Sequence, residues 1–286
     1  MDVISLCNLS VELQGELSLP QSLQKFRAAE KAPPCLRVRT VHAAANPHLP
    51  EDFRISILAF AKEENGDAKQ VWNTYSDAAL LTFEEGGCAS LSETDEYSDD
   101  MYLNLLLAAF LPQLAQQNGL MMHASLVECA GGAVVFTASP GVGKSTQAKL
   151  WQNFLGARIL NGDKAFIRSV KGRWDAYGSP WCGSSEYVLN AHAPLRAVVV
   201  LQQAKQNRIR RLSGMELLQK VTPHIYYPSW KSAAAVQTMQ TLDTLLADIP
   251  VYLLSCLPNR EAALLTRNTL FGEEGNGHGD NLCSCG

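Results

Sequence analysis

The segment Ala138-Ser-Pro-Gly-Val-Gly-Lys-Ser145-Thr146 constrains this chain more than any other. Against the pattern GxxxxGK[ST] it supplies Gly143, Lys144 and Ser145 but carries Ala138 where the first glycine belongs. That exchange is tolerable if Ala138 keeps a negative φ, because the anion-cradling geometry lies at the end of the loop. Backbone N–H groups from about Gly141 to Ser145 would point inward, and the following helix adds its positive end. Gly141 and Gly143 permit close approach and unusual φ, Lys144 reaches the β- and γ-phosphates, and the Ser145 hydroxyl ligates Mg²⁺. Pro140, Gly141, Val142, Gly143, Lys144, Ser145 and Thr146 are therefore the candidate nucleotide-binding set.

The neighbouring pattern supports this reading. The run Ala133-Val-Val-Phe136 suits a strand buried on both faces, and 144–155 reads as a helix, so strand, loop and helix occur in the required order. Further strands are expected at 123–129, 157–160, 165–170, 174–177, 197–201 and 251–256, with helices at 101–117, 213–221, 230–247 and 260–270. A two-strand hairpin directly before the loop argues against a purely parallel sheet. Residues 1–97 alternate short apolar runs with turns and read as a small, mostly β accessory region. The main domain is expected over 98–271, beginning with the helix at 101–117, and a disordered tail over 272–286.

Phosphate binding is not yet a reaction. Ile159-Leu-Asn-Gly-Asp-Lys164 supplies a second constellation, because an Asp leaving a buried strand can hold Mg²⁺ or take the proton of an attacking hydroxyl. Asn161-Gly162 also suits a plain β-turn. His123 is either a structural histidine at a strand start or a member of the site. The cations Lys205, Arg208, Arg210 and Arg211 are either a solvated hairpin face or a clamp on the γ-phosphate. Arg211 points to the opposite side from Arg208 and Arg210 and is taken into the nucleotide-binding set. Tyr226, Tyr227 and Trp230 read as core aromatics or as a peptide groove. Cys182 has no implied general base and is not a nucleophile candidate.

Composition excludes several classes. The chain has 24 Lys and Arg against 28 Asp and Glu, a formal net charge of −4, so no nucleic-acid or membrane-surface partner is expected. Its longest apolar run, 105–111, is less than half of the roughly 20 residues a membrane span needs. Met1-Asp-Val-Ile-Ser-Leu-Cys-Asn8 lacks the basic start of a signal peptide, and the 8 cysteines form no CxxC pair. The expected location is the cytoplasm.

The sequence resembles the P-loop kinases of the HPr kinase/phosphorylase type, related in fold to PEP carboxykinase. The stretches carrying the resemblance include Met122-His-Ala-Ser125, Ser139-Pro-Gly-Val-Gly-Lys-Ser-Thr146, Leu160-Asn-Gly-Asp-Lys164, Tyr177-Gly-Ser-Pro-Trp-Cys-Gly183 and Pro194-Leu-Arg-Ala-Val198. It looks closest to the HPr-kinase-like proteins encoded beside peptide-modification genes. The resemblance implies an α/β fold with a P-loop core and a mixed sheet, plus ATP and Mg²⁺. It implies Lys144, His123 and Asp163 as catalytic residues and Ser145 and Asp163 as metal ligands. The double aspartate typical of HPr kinase is Gly162-Asp163 here. The loop after Gly183 reads Ser184-Ser185-Glu186 where similar sequences carry a lysine, so the missing positive charge is sought at Arg208, Arg210 or Arg211.

The expectation is a cytoplasmic, Mg²⁺- and ATP-dependent kinase acting on a hydroxyl of a peptide or protein, with peptide-modification proteins as partners. A homo-oligomer is compatible with the sequence. The same site would serve a small-metabolite kinase, or a non-catalytic nucleotide-binding adaptor of a peptide-modification system.

Overall fold

A computed structural model describes residues 1–15, 19–28, 32–42, 50–74, 79–93, 98–183 and 185–272. The tail expected over 272–286 and its Cys283 and Cys285 lie outside the described residues, Gly272 excepted. The fold is α/β, with mixed sheets and an N-terminal strand region.

Among the described residues the strands form two sheets. The first contains β1 (Asp2–Leu6), β2 (Leu9–Gln14), β3 (Leu36–His42), β4 (Phe53–Ile55), β5 (Leu58–Lys62), β6 (Ala68–Asn73), β7 (Ala79–Glu84) and β8 (Cys88–Glu93). Their order is β1-β2-β3-β8-β7-β6-β5-β4. A short helix, α1 (Gln21–Gln24), follows β2. The second sheet contains β9 (Gly119–Cys129), β10 (Gly132–Thr137), β11 (Arg158–Asn161), β12 (Lys164–Val170), β13 (Arg173–Tyr177), β14 (His192–Gln203), β15 (Arg208–Arg211) and β16 (Val251–Cys256). The helices are α2 (Asp99–Gln116), α3 (Lys144–Leu155), α4 (Gly214–Val221), α5 (Ser232–Asp248) and α6 (Arg260–Phe271).

Helix α2 joins the two halves. Its residues are apolar around most of its circumference, with Leu105, Leu106, Ala108, Ala109, Phe110 and Leu114 all buried, as a helix enclosed on several sides requires. One hydrophobic cluster runs from Ile4, Val11 and Phe60 of the first sheet through α2 to Met121, Phe166 and Trp181 of the second region. The division expected at residue 97 thus falls between two sheets that share a core. Trp181 and Trp230 tie the seam, their indole N–H groups donating to the carbonyls of Leu103 (2.9 Å) and Ala108 (3.2 Å).

In the second sheet β10, β14 and β16 are mutually parallel, while β9 is antiparallel to β10, β11 and β12. An additional β10–β14 pairing closes the path β10-β9-β12-β13-β14 on itself. The enclosed side chains form one core, including Met122, Ala124, Val135, Ala165, Ala176 and Val198, with Leu242 and Leu245 of α5 against it. The alternate residues of β9 and β10 face outward. Val127, Val134 and Phe136 pack under Ala148 and Trp151 of α3, while Met121 packs with α2. Both helices therefore cover one face of β9, at opposite ends. His123 lies in the gap between them.

Candidate functional site

The gap has a topological cause. On one edge of β9, β10 ends at Thr137 opposite Ala124, and the phosphate loop departs. Beyond that point the edge is taken by a distant segment, where Ile225 bridges Met122 and the Tyr226 amide donates to the Met121 carbonyl. His123 sits at this change of partner, its carbonyl accepting from the Thr137 hydroxyl at 2.8 Å. Open α/β sheets bind ligands at such divergences.

On the other edge of β9, β11 and β12 form one interrupted strand, pairing Asn161 with Leu126 and Lys164 with His123. Asp163 stays opposite Ala124, its carbonyl accepting from the Ala124 amide at 2.8 Å. Asn161 shapes the backbone around it. Its Oδ1 accepts from the amides of Asp163 (2.8 Å) and Lys164 (2.7 Å), an Asx turn that breaks the strand. Its Nδ2 donates to the Ser179 carbonyl at 2.9 Å, and the residue is fully buried. The turn brings the Asp163 carboxylate to His123 and Lys164. Asn161→Ala would leave two amides and a carbonyl buried without partners. At 1–3 kcal/mol for each orphaned group, partly relieved by relaxation, urea denaturation should show a loss of about 3 kcal/mol.

The Asp163 carboxylate is held from two sides, with His123 Nε2 3.1 Å from Oδ1 and Lys164 Nζ 2.7 Å from Oδ2. The His123 hydrogen bond, opposed by burial and reinforced by Lys164, keeps this acid well below the usual carboxylate range. Burial works against the Lys164 charge, but Asp163 and Tyr226 outweigh it and raise the ammonium's pKa. The Tyr226 ring lies 5.8 Å from Lys164 Nζ. Gly183, at φ +57°, approaches so closely that a Cβ would lie 2.9 Å from Asp163 Oδ2. Burial raises the Cys182 thiol's pKa, consistent with no nucleophilic role.

The glycine-rich loop has the backbone its sequence predicts. Ala138 is buried and lies outside the positive-φ residues, so its Cβ causes no strain there. Gly141 and Gly143 have φ of 79° and 126°, and a Cβ on Gly141 would meet nothing within 4 Å. No side chain caps α3, whose N-cap is Gly143, so its first amides face the loop. Lys144 Nζ donates to the Ala138 carbonyl at 3.0 Å, folded back across the loop. Burial lowers its pKa and the Asp163 carboxylate opposes that.

Cavities flank the loop on two sides. One of about 340 Å³ is lined by Ser145, Lys149, Gly162, Ser185, Glu186 and Tyr187 among others, so Ser145 and Gly162, the residue before Asp163, border one space. The other, about 360 Å³, lies between Gly141, Thr146 and Gln147 and the ends of β14 and β16 at Gln203 and Cys256. The loop amides suit a polyphosphate. Ser145 with Asp163 suits a divalent cation that keeps its waters and phosphate ligands. Among the described residues no cluster of three or more His, Cys, Asp or Glu could cage a metal alone.

The structure brings Lys144, Ser145, His123 and Asp163 to one crevice but places Arg211 outside it. Strand β15 is the sheet edge, separated from β10 by β14 and β16. It runs antiparallel to β16, pairing Arg208 with Ser255 and Arg211 with Tyr252. Arg211 therefore lies toward the end of the sheet opposite the loop, a correction to the sequence expectation. Arg210 is occupied by Glu216 at 2.6 Å. The site gains Lys164 and His224, to which the sequence gave no role, and Tyr226, read there as a core or groove aromatic. The His224 pKa is lowered first by burial and then by His123 and Lys144. The adjacency of Lys164 to Asp163 was the one available signal; Trp230 proves to be core.

No family model matches this chain, and no curated protein matches it. Among solved structures it is similar to the Hpr(Ser) kinase/phosphatase from Coxiella burnetii, at 11% identity and a TM-score of 0.32, over 52% of this chain and 86% of that one. A likeness that loose carries no functional weight. Among the described residues no helix is long and apolar enough to cross a membrane.

Proposed function

We propose that the chain is a Mg²⁺- and ATP-dependent kinase that transfers the γ-phosphoryl group to a hydroxyl of a peptide or protein. The observation that carries this reading is the placement of an ionised carboxylate, Asp163, at the change of strand partner beside a glycine-rich loop with uncapped helix amides. Bound Mg²⁺ would offset negative charge on the phosphates, with Ser145 and Asp163 as its protein ligands. In the transfer, the acceptor oxygen bonds to the γ-phosphorus while the bond from that phosphorus to the bridging oxygen breaks, and ADP leaves with the electron pair.

Asp163 is too acidic to abstract a proton early. It orients the acceptor hydroxyl by accepting its hydrogen bond, and takes the proton late, when bond formation to phosphorus has made that hydroxyl acidic. His123 fixes the carboxylate at Oδ1. Lys144 offsets charge developing on the β- and γ-phosphates. The rim formed by Ser185, Glu186 and Tyr187 ranges from half-buried to exposed, an approach that admits a chain segment.

The test is incubation of the purified chain with Mg²⁺ and γ-labelled ATP in a size-fractionated extract of its source organism. Label in a peptide or protein fraction is the expected result. Label in the metabolite fraction alone would reassign the acceptor. ATP binding without any transfer would replace the kinase by a nucleotide-binding adaptor.

A further inference from the structure

We propose that Lys164 is a second phosphate-binding lysine, which leaves Asp163 for the γ-phosphate of a bound nucleoside triphosphate. The inference rests on the kinase reading above and adds to it the source of positive charge on the side of the crevice facing the loop lysine.

Loose phosphoryl-transfer transition states spread charge over three equatorial oxygens, and one lysine on one side leaves part of it uncompensated. Of the arginines nominated for the other side, Arg211 lies at the far end of the edge strand and Arg210 is tied to Glu216, while Arg208, at the loop end, bonds Gln206 and is separated from β10 by β14 and β16. Lys149 lines the neighbouring cavity from the exposed surface of α3. Lys164 is placed differently. It pairs directly with His123 across β9, its side chain is 20% exposed, and Asp163 and the Tyr226 ring hold its ammonium in the crevice.

The local charges favour a switch of partner. His123 and Lys164 both contact the single carboxylate of Asp163, and Lys144 lies close enough to feel its charge. That carboxylate is already shared between His123 and Lys164, so any further cation on it leaves the Lys164 ammonium undercompensated. An incoming γ-phosphate supplies the anion. The β-phosphate does not replace it, because Lys164 stands on the Asp163 side of the crevice, where the transferred group must meet the acceptor.

The decisive comparison is therefore between nucleotides that differ only in the γ-phosphate. Calorimetric titration of the full chain with Mg²⁺-ATP and Mg²⁺-ADP should show Lys164→Met losing 10- to 100-fold in ATP affinity, with ADP affinity within about twofold of wild type. Lys164→Arg should retain most of the ATP preference. A Lys164→Met chain with the wild-type ATP-to-ADP ratio, whether or not both affinities fall, overturns the proposal and leaves the kinase reading intact. A second measurement needs no variant. Acetic anhydride labelling of the wild-type chain, read by mass spectrometry, should be slowed at Lys164 by a non-hydrolysable ATP analogue and not by ADP. Equal labelling with both overturns the proposal, and a wild-type chain that binds neither nucleotide overturns both it and the kinase reading.

Discussion

Lys144→Met is expected to remove measurable phosphoryl transfer and to weaken ATP binding by about 10²- to 10³-fold, while the chain stays folded. Lys144 is 8% exposed, and methionine preserves most of its apolar stem. The side chain's hydrogen bond goes to the Ala138 carbonyl, in a loop that water can reach once the ammonium is gone, so the stability cost should be about 1 kcal/mol. The functional cost is larger because the lost ammonium is the one folded across the loop that would receive the phosphates. Burial depresses the Lys144 pKa and Asp163 restores part of it, so the ammonium is partly desolvated and ready for an anion. Calorimetry with Mg²⁺-ATP, alongside a urea melt, checks both halves. Wild-type ATP affinity in a folded Lys144→Met chain would show that the loop is not a phosphate cradle.

The parts of this site that were legible in the sequence are those made by short-range chemistry. Strand β10, the loop and α3 are contiguous, and the glycines at 141 and 143 announce the positive φ values they adopt. Asn161-Gly162 announced a turn, and the turn is what sets Asp163 beside His123. What could not be read depends on pairing across long separations. Tyr226 and His224 reach the crevice because the Tyr226 amide bonds to Met121, a register that no local periodicity encodes. Arg211 failed for the same reason. Its strand character is local, but which end of the sheet it occupies is decided by its alignment with Tyr252.

The N-terminal region teaches a related lesson. Its alternation of apolar runs and turns gave the β character correctly, and the shared core was missed although α2 carried the signal. A helix with one apolar stripe can cap a domain, whereas Leu105 to Leu111 is apolar on every side and must be enclosed. Its indole partners, Trp181 and Trp230, come from the second region, so the helix belongs to the cores of both sheets.

Asp163→Asn should lower phosphoryl transfer about 10³-fold, far more than it weakens Mg²⁺-ADP binding, because the residue acts on the acceptor and the transferred group as well as on the cation. Asparagine fills the same volume and can still accept from His123 or Lys164, but it carries no charge to hold a cation and cannot take the late proton. The variant should also show a characteristic stability profile. The folded carboxylate is held below its ordinary acidity range, mainly by the His123 hydrogen bond and against the opposing effect of burial. A depressed acid stabilises the fold fully above its unfolded pKa, near 3.9, and that contribution fades as pH falls through the folded value. Urea denaturation should therefore show the same wild-type advantage over Asp163→Asn at about pH 7 and about pH 5, with the advantage shrinking only below about pH 4. For the same reason Asp163 cannot produce an acid limb in the wild-type activity profile above about pH 5. An advantage that already declines between pH 7 and pH 5 would mean that Asp163 is not the acid held by His123 and Lys164, and the assignment of its role would fall with it.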